Sequence, residues 1–166
     1  MSEPDLTDIQ RDAIYAMGLF ILNWGMVEGT MEMAIAQELG LDAANGSILT
    51  AGMQSKPKSM LLRGLLERNP DANKAKIDLV KLIQQQSTRN DIAHGVPGIN
   101  AWGLIFYRRT NDGEFKSRLK KLSDNEMLMA AIQVGNIASD LQDLFGITDD
   151  IYEAFFQEAH KAANKS

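Results

Sequence analysis

The stretch TDIQRDAIYAMGLFILNWGMVEGTMEMAIAQELG (residues 7–40) decides the fold. Thr7 with Gln10 three positions later is a capping box, and Gly40 is a left-handed terminator, so one helix of about 32 residues is expected between them. Met17, Phe20, Trp24, Val27, Met31, Ala34 and Ile35 recur at spacings of three and four and mark a core face. Tyr15, Leu19, Leu22, Met26 and Met33 form a second apolar set. A helix apolar on two faces is either central to its fold or shared with another subunit, and its methionines suit an adaptable packing surface. The uncharged run Ala13 to Val27 has 15 residues and includes Asn23, Gly18 and Gly25. A bilayer span needs about 20 apolar residues, so no membrane segment is expected. The acidic start Met-Ser-Glu-Pro-Asp does not read as a secretory leader, and a cytoplasmic location is expected.

Working outward, Leu41 to Gly46 reads as a loop and Ser47 as the cap of a short helix to about Gln54. Pro57 suits the first turn of a third helix, which Asn69-Pro70 closes. A long helix is then expected from about Asp71 to His94, with Ile77, Val80 and Ile83 inward and Gly95-Val96-Pro97-Gly98 as its stop. The period changes next. Trp102, Leu104 and Phe106 alternate with Gly103, Ile105 and Tyr107, Asn111-Asp112-Gly113 is a hairpin turn, and Glu114 to Leu122 is the return strand. Two strands alone are marginal, so the hairpin should lie on helices or pair with a partner. Ser123 with Glu126 opens a helix that Gly146 ends, and Thr148 caps a last one of about 16 residues. The expected fold class is all-α: an up-and-down bundle of about six helices with a β-hairpin inserted at about 101–122, in a single domain over 1–166.

Composition narrows the chemistry. The chain has 166 residues, no cysteine and two histidines, His94 and His160. Disulfide scaffolds, thiol nucleophiles and Cys-ligated metal centres are excluded, and two histidines are too few for a His-rich cage. A net charge of −5 argues against a general DNA-coating protein. Gly25 and Gly29 fall inside a helix pattern and make no phosphate loop; no Glu-x-x-His, His-x-x-x-His or Gly-x-Ser-x-Gly is present. No cofactor or metal is expected.

One cluster departs from this plain picture: Arg89-Asn90-Asp91-Ile92-Ala93-His94-Gly95. Asn90 and His94, four apart, share a helical face, and the long Arg89 side chain can reach toward the same end. Such a set supports phosphodiester cleavage in RNA. A histidine titrating near neutrality moves the proton of the 2′-hydroxyl or of the leaving oxygen. An arginine fork holds the phosphate and stabilises its growing charge. A plainer reading stays open: a histidine in a last turn suits the negative end of the helix dipole, and Arg89 can pair with Asp91 or another acid. Asp91 would repel phosphate unless a basic neighbour, Arg89 or a lysine such as Lys76, faces it.

Arg89-Asn90-x-x-x-His94 resembles the R-x4–6-H motif of the HEPN superfamily, in which a polar residue, often Asn, follows the Arg. The longer string Arg-Asn-Asp-Ile-Ala-His-Gly is similar to the form in many bacterial HEPN-like proteins. Trp24 and Glu28, one turn apart, resemble the first helix of such proteins. The resemblance runs over roughly 7–160, with only the short motif specific. It implies a metal-independent endoribonuclease, often a toxin or defence effector, whose two motifs meet across a homodimer, with an antitoxin or other protein as a further partner. Arg89 would bind phosphate, His94 transfer protons, and Asn90 orient either one. Some members of the superfamily are non-catalytic nucleotide- or protein-binding regulatory modules, the alternative function. Dimerisation also follows from the chemistry, because acid and base work needs two titrating groups and one chain offers only His94 here.

The hairpin adds charge. Between Arg108 and Lys121 lie Arg108, Arg109, Lys116, Arg118, Lys120 and Lys121 against Asp112 and Glu114, a local +4 that leaves −9 for the remainder. Arg108, Arg109, Lys116 and Arg118 are candidate RNA contacts, with Tyr107 and Phe115 beside them. Lysines protecting a strand edge explain the same residues. His160 has no partner pattern and reads as a surface residue.

Overall fold

The computed structural model describes the backbone of residues 6–111 and 115–164; within these, side chains are described except at 87, 90, 93, 94, 108–111 and 115–118. The chain is mostly helical, with seven helices and one three-stranded antiparallel sheet among the described residues. No helix there is long and apolar enough to cross a membrane.

The first helix, α1, runs Asp8–Leu39, as its sequence signals require. The Thr7 amide donates to Gln10 Oε1 at 3.0 Å, the Gln10 amide donates to Thr7 Oγ1 at 3.3 Å, and Gly40 ends the helix at φ +65°. Phe20, Trp24, Val27, Met31, Ala34 and Ile35 are buried. The second apolar set divides: Met33 is buried, whereas Tyr15 and Leu22 are exposed.

The next segments require corrections. Helix α2 is Ala43–Thr50, capped by Asp42 rather than Ser47, and it stops short of Gln54. Asp42 Oδ1 accepts from the Asn45 amide at 2.8 Å and its other oxygen from the Asn45 side chain, a better cap than one hydroxyl supplies. Helix α3, Ser55–Leu66, carries Pro57 in its first turn as expected. The single long helix expected from Asp71 to His94 is two: α4, Lys74–Gln84, and α5, Ser87–His94. Between Ile83 and Ile92 no residue is apolar, so nothing there anchors a continuous helix, and Gln86 turns extended at ψ 93°.

The other correction concerns Gly95 to Gly98. They do not end in a loop but form β1, Gly95–Asn100, which pairs antiparallel with β2, Gly103–Asn111; β2 pairs with β3, Phe115–Leu122. The expected hairpin is thus two-thirds of a sheet ordered β1-β2-β3. Of the expected turn Asn111-Asp112-Gly113, Asn111 is the last residue of β2, and residues 112–114 lie outside the described residues. Pro97 is tolerated because β1 is an edge strand. Leu104, Phe106 and Leu122 are buried on one face. Helix α6, Asp124–Phe145, begins with the Ser123–Glu126 capping box and ends at Gly146, φ +64°; α7, Asp149–Ala163, is capped by Thr148.

These elements form two compact units, one of Met1–Trp24 with Gln86–Gly135, the other of Gly25–Gln85 with Asn136–Ser166. The first holds α5, the sheet and the leading parts of α1 and α6; Asn23 Nδ2 donates to the Ala131 carbonyl at 2.9 Å inside it. In the second, α3 lies along α4 and α2 along α7, and Lys58 forms a buried ion pair with Glu32. Burial, followed by the nearby Glu32 carboxylate, raises the Tyr152 phenol above its ordinary value.

Two stability outcomes follow from the first unit. A Cβ at Gly95 would sit 2.3 Å from the Asp91 carbonyl oxygen and 3.1 Å from Phe106 Cβ. Gly95→Ala is therefore expected to cost about 1–3 kcal/mol in equilibrium urea unfolding. The Ser123 amide, then its hydroxyl, hold the Glu126 carboxyl below its usual range. A depressed carboxylate pKa stabilises the fold above the unfolded value and loses that contribution as pH falls through the folded one. Glu126→Gln should flatten the acid limb of a stability-versus-pH curve in that interval.

Candidate functional site

The motif occupies α5, whose polar N-terminal half would not persist alone at eight residues. Its position comes from what holds it. The Gly95 amide donates to the Asp91 carbonyl, closing the helix, and Gly95 is already the first residue of β1. No residue separates the last helical position, His94, from the sheet.

Two side chains fix the helix on its flanks. Lys120, on β3, donates to Asp91 Oδ2 at 2.8 Å and lies 3.5 Å from Thr88 Oγ1. Lys120 is opposite Phe106 in the sheet register, so it rises from the same face as the buried Phe106 and meets α5 there. The Arg89 guanidinium lies 5.8 Å from the centre of the Trp24 ring on α1, and Trp24 is stacked with Phe20 at 6.4 Å between centroids. A cation over a mostly buried indole gains about 0.5–2 kcal/mol. Arg89 is thereby tied to α1 within the first unit while its side chain stays half-buried.

Of the sequence-predicted residues, Arg89, Asn90 and His94 lie in one helix. The side chains of Asn90 and His94 are outside the described residues. So are those of Arg108, Arg109, Lys116 and Arg118, whose backbones fall on β2 and β3 with Arg108 opposite Arg118. Lys76, a conceivable partner for Asp91, instead pairs with Glu38 at 3.7 Å and covers Phe145. His160 is exposed, near Asn164, and far from any motif in sequence.

Sequence reasoning missed Lys120 as the partner of Asp91 and Trp24 as the support of Arg89. A signal for Lys120 existed: it shares strand parity with Leu122, an inward position, and an inward lysine needs an acid. For Trp24 the helix pattern gave only burial. Chemically, the arrangement places a guanidinium on a helix whose one carboxylate is paired with a lysine.

Comparison with protein-family models, with curated proteins and with solved structures returns no significant match for this chain.

The Asp91–Lys120 pair is testable. Asp91 has only 14% of its side chain exposed, so removing its lysine costs more than breaking a surface pair. Lys120→Met should lower stability by about 1–2 kcal/mol, between the surface and buried limits. In a double-mutant cycle, adding Asp91→Asn should cost less in the Lys120→Met background than in the native chain.

Proposed function

We propose that the chain is a metal-independent endoribonuclease of HEPN type, a helical-bundle protein acting as a homodimer in a toxin or defence role. The observation that carries this reading is Arg89-Asn90-x-x-x-His94 on the short helix α5, ending at the start of β1. The Lys120 partner of Asp91 supports it, because it offsets a negative charge within the motif that would oppose an RNA phosphate.

In this mechanism Arg89 binds the non-bridging phosphate oxygens and stabilises charge as the phosphorus becomes five-coordinate. His94 of one protomer removes the 2′-hydroxyl proton, and the 2′-oxygen attacks phosphorus. The bond to the 5′-oxygen breaks as the partner's His94 protonates it. The products are a 2′,3′-cyclic phosphate and a 5′-hydroxyl. Asn90 orients the phosphate or the imidazole. One motif histidine in each chain makes a two-fold axis the means of supplying both acid and base.

The test is incubation of single-stranded RNA in EDTA with the native chain, Arg89→Ala and His94→Ala. The native chain should cleave and leave cyclic-phosphate ends, and each variant should lose at least about 100-fold, the usual contribution of a proton-transfer or charge-stabilising group. Equal cleavage by all three would sink the assignment. RNA bound but never cleaved would leave a non-catalytic binding module in its place.

A further inference from the structure

Helices α1 and α6 meet in the first unit at Asn23, whose side chain donates to the Ala131 carbonyl; a Cβ at Gly135 would stand 2.8 Å from its Nδ2. On the solvent side of that contact both helices are apolar. Ile14, Tyr15, Ile21 and Leu22 of α1 and Leu128, Met129 and Ile132 of α6 are all exposed, Tyr15 and Leu22 by 69% each. Together these seven side chains expose roughly 700–800 Å², more than the ~300–600 Å² of the largest apolar patch on an ordinary monomer. No charge falls between Asp12 and Glu28 on α1, or between Glu126 and Asp140 on α6. The face also has a dent. Gly18 is exposed, nothing lies within 4 Å of where its Cβ would stand, and Ile14, Tyr15, Ile21 and Leu22 are its helix neighbours at three and four positions to either side.

We propose that a second copy of this chain covers this face, α1 against α1 and antiparallel, about a two-fold axis at Gly18. The area meets the ~800 Å² per partner of a stable protein interface. The lack of charge turns away a nucleic acid, whose phosphates need cations. An anionic lipid surface is turned away as well, because the flanks carry Asp8, Asp12, Asp124 and Glu126 against Arg11. A two-fold axis sets one patch against itself, and this patch complements itself: the large side chains around one Gly18 fill the dent of the other. Antiparallel order also puts the acidic first turn of each α1 at opposite ends of the seam.

The face runs beside the motif. Gln10 Nε2 donates to the carbonyl of Asn100, the last residue of β1, at 3.5 Å, and Trp24 lies under Arg89 near the start of α5. The backbone from Arg89 to Asn100 is therefore tied to α1 at both ends, with His94 between the ties as Gly18 is between Gln10 and Trp24. Ile21 and Trp24, three apart, are neighbours on α1, so the motif helix borders the apolar face. An antiparallel pair then carries both motif helices along one edge of the seam. That the two copies share a ribonuclease site rests on the reading above; the interface itself rests on exposure, area and charge.

The experiment is sedimentation velocity at micromolar concentration, with circular dichroism to confirm that each variant is folded. The native chain should sediment as a dimer. Leu22→Glu and Ile14→Lys, both at exposed positions, should each weaken dimerisation about 100-fold or more by burying an unpaired charge. Mixing the two variants should restore dimers, because the crossing at Gly18 sets position 22 of one copy against position 14 of the other. Leu119→Glu, at an exposed apolar position on β3, should leave the dimer intact. A monomeric native chain overturns the interface, as does a dimer that survives Leu22→Glu or is broken by Leu119→Glu alone. A mixture that stays monomeric overturns the antiparallel crossing and the proposal with it. A dimer broken by Leu22→Glu and restored by mixing, in a chain that never cleaves RNA, overturns the ribonuclease reading and leaves the interface standing.

Discussion

Gly95 leaves no space for a side chain, because the carbonyl oxygen of Asp91 and the Cβ of Phe106 already occupy it. That close approach is what lets a helix become a strand with no connecting residue. A loop between α5 and β1 would let the two drift, and short connections are the usual way to fix neighbouring elements. Here the connection has zero length, so the sheet sets the helix's position at one end. The conformation at Gly95 is ordinary extended backbone, φ −86°; the constraint is steric and lies in neighbouring atoms.

The rest of the first unit complements that constraint. A polar helix of eight residues gains little from its own hydrogen bonds, so it depends on contacts made by others. Lys120 reaches it from the third strand and Trp24 from the first helix. Both contacts are electrostatic, which suits a segment too polar to be held by burial. They also leave the apolar work to Leu104, Phe106 and Leu122, buried on the face from which Lys120 rises. The β-hairpin is therefore not an ornament on a helical protein, since without β3 the carboxylate of Asp91 would lose its lysine.

What was legible in the sequence divides along the range of the interactions. Both capping boxes, at Thr7–Gln10 and Ser123–Glu126, and the terminators Gly40 and Gly146 are local signals and sit where they were read. The break at Gln85-Gln86 was hidden because glutamine is a fair helix former; only the missing apolar anchor between Ile83 and Ile92 gave it away. Strand β1 was hidden for another reason. Gly-Val-Pro-Gly carries turn chemistry, and it becomes a strand only because β2 offers an edge to pair with, a tertiary contribution that overrides local preference. The motif on α5 was readable as a string of residue types. Its setting, Lys120 at 29 positions' remove and Trp24 farther still, was not.

The outer sheet face, too, depends on long-range pairing and emerges only from the register. In the sequence, Val96, Tyr107 and Leu119 belong to three separate segments, and each alone is an unremarkable exposed apolar residue. Pairing brings them into one row, and the parity that sends Phe106 inward sends Tyr107 outward. Had β1 been a loop, the row would have held two residues and Tyr107 would have had no Gly98 to lie across. One steric fact at Gly95 thus sets both faces: the inner one that holds the motif helix and the outer one left open to solvent. A substitution that displaced β1 would disturb both, whereas one on the outer row leaves α5 and its lysine in place. That asymmetry makes the two faces of the sheet separable by mutation.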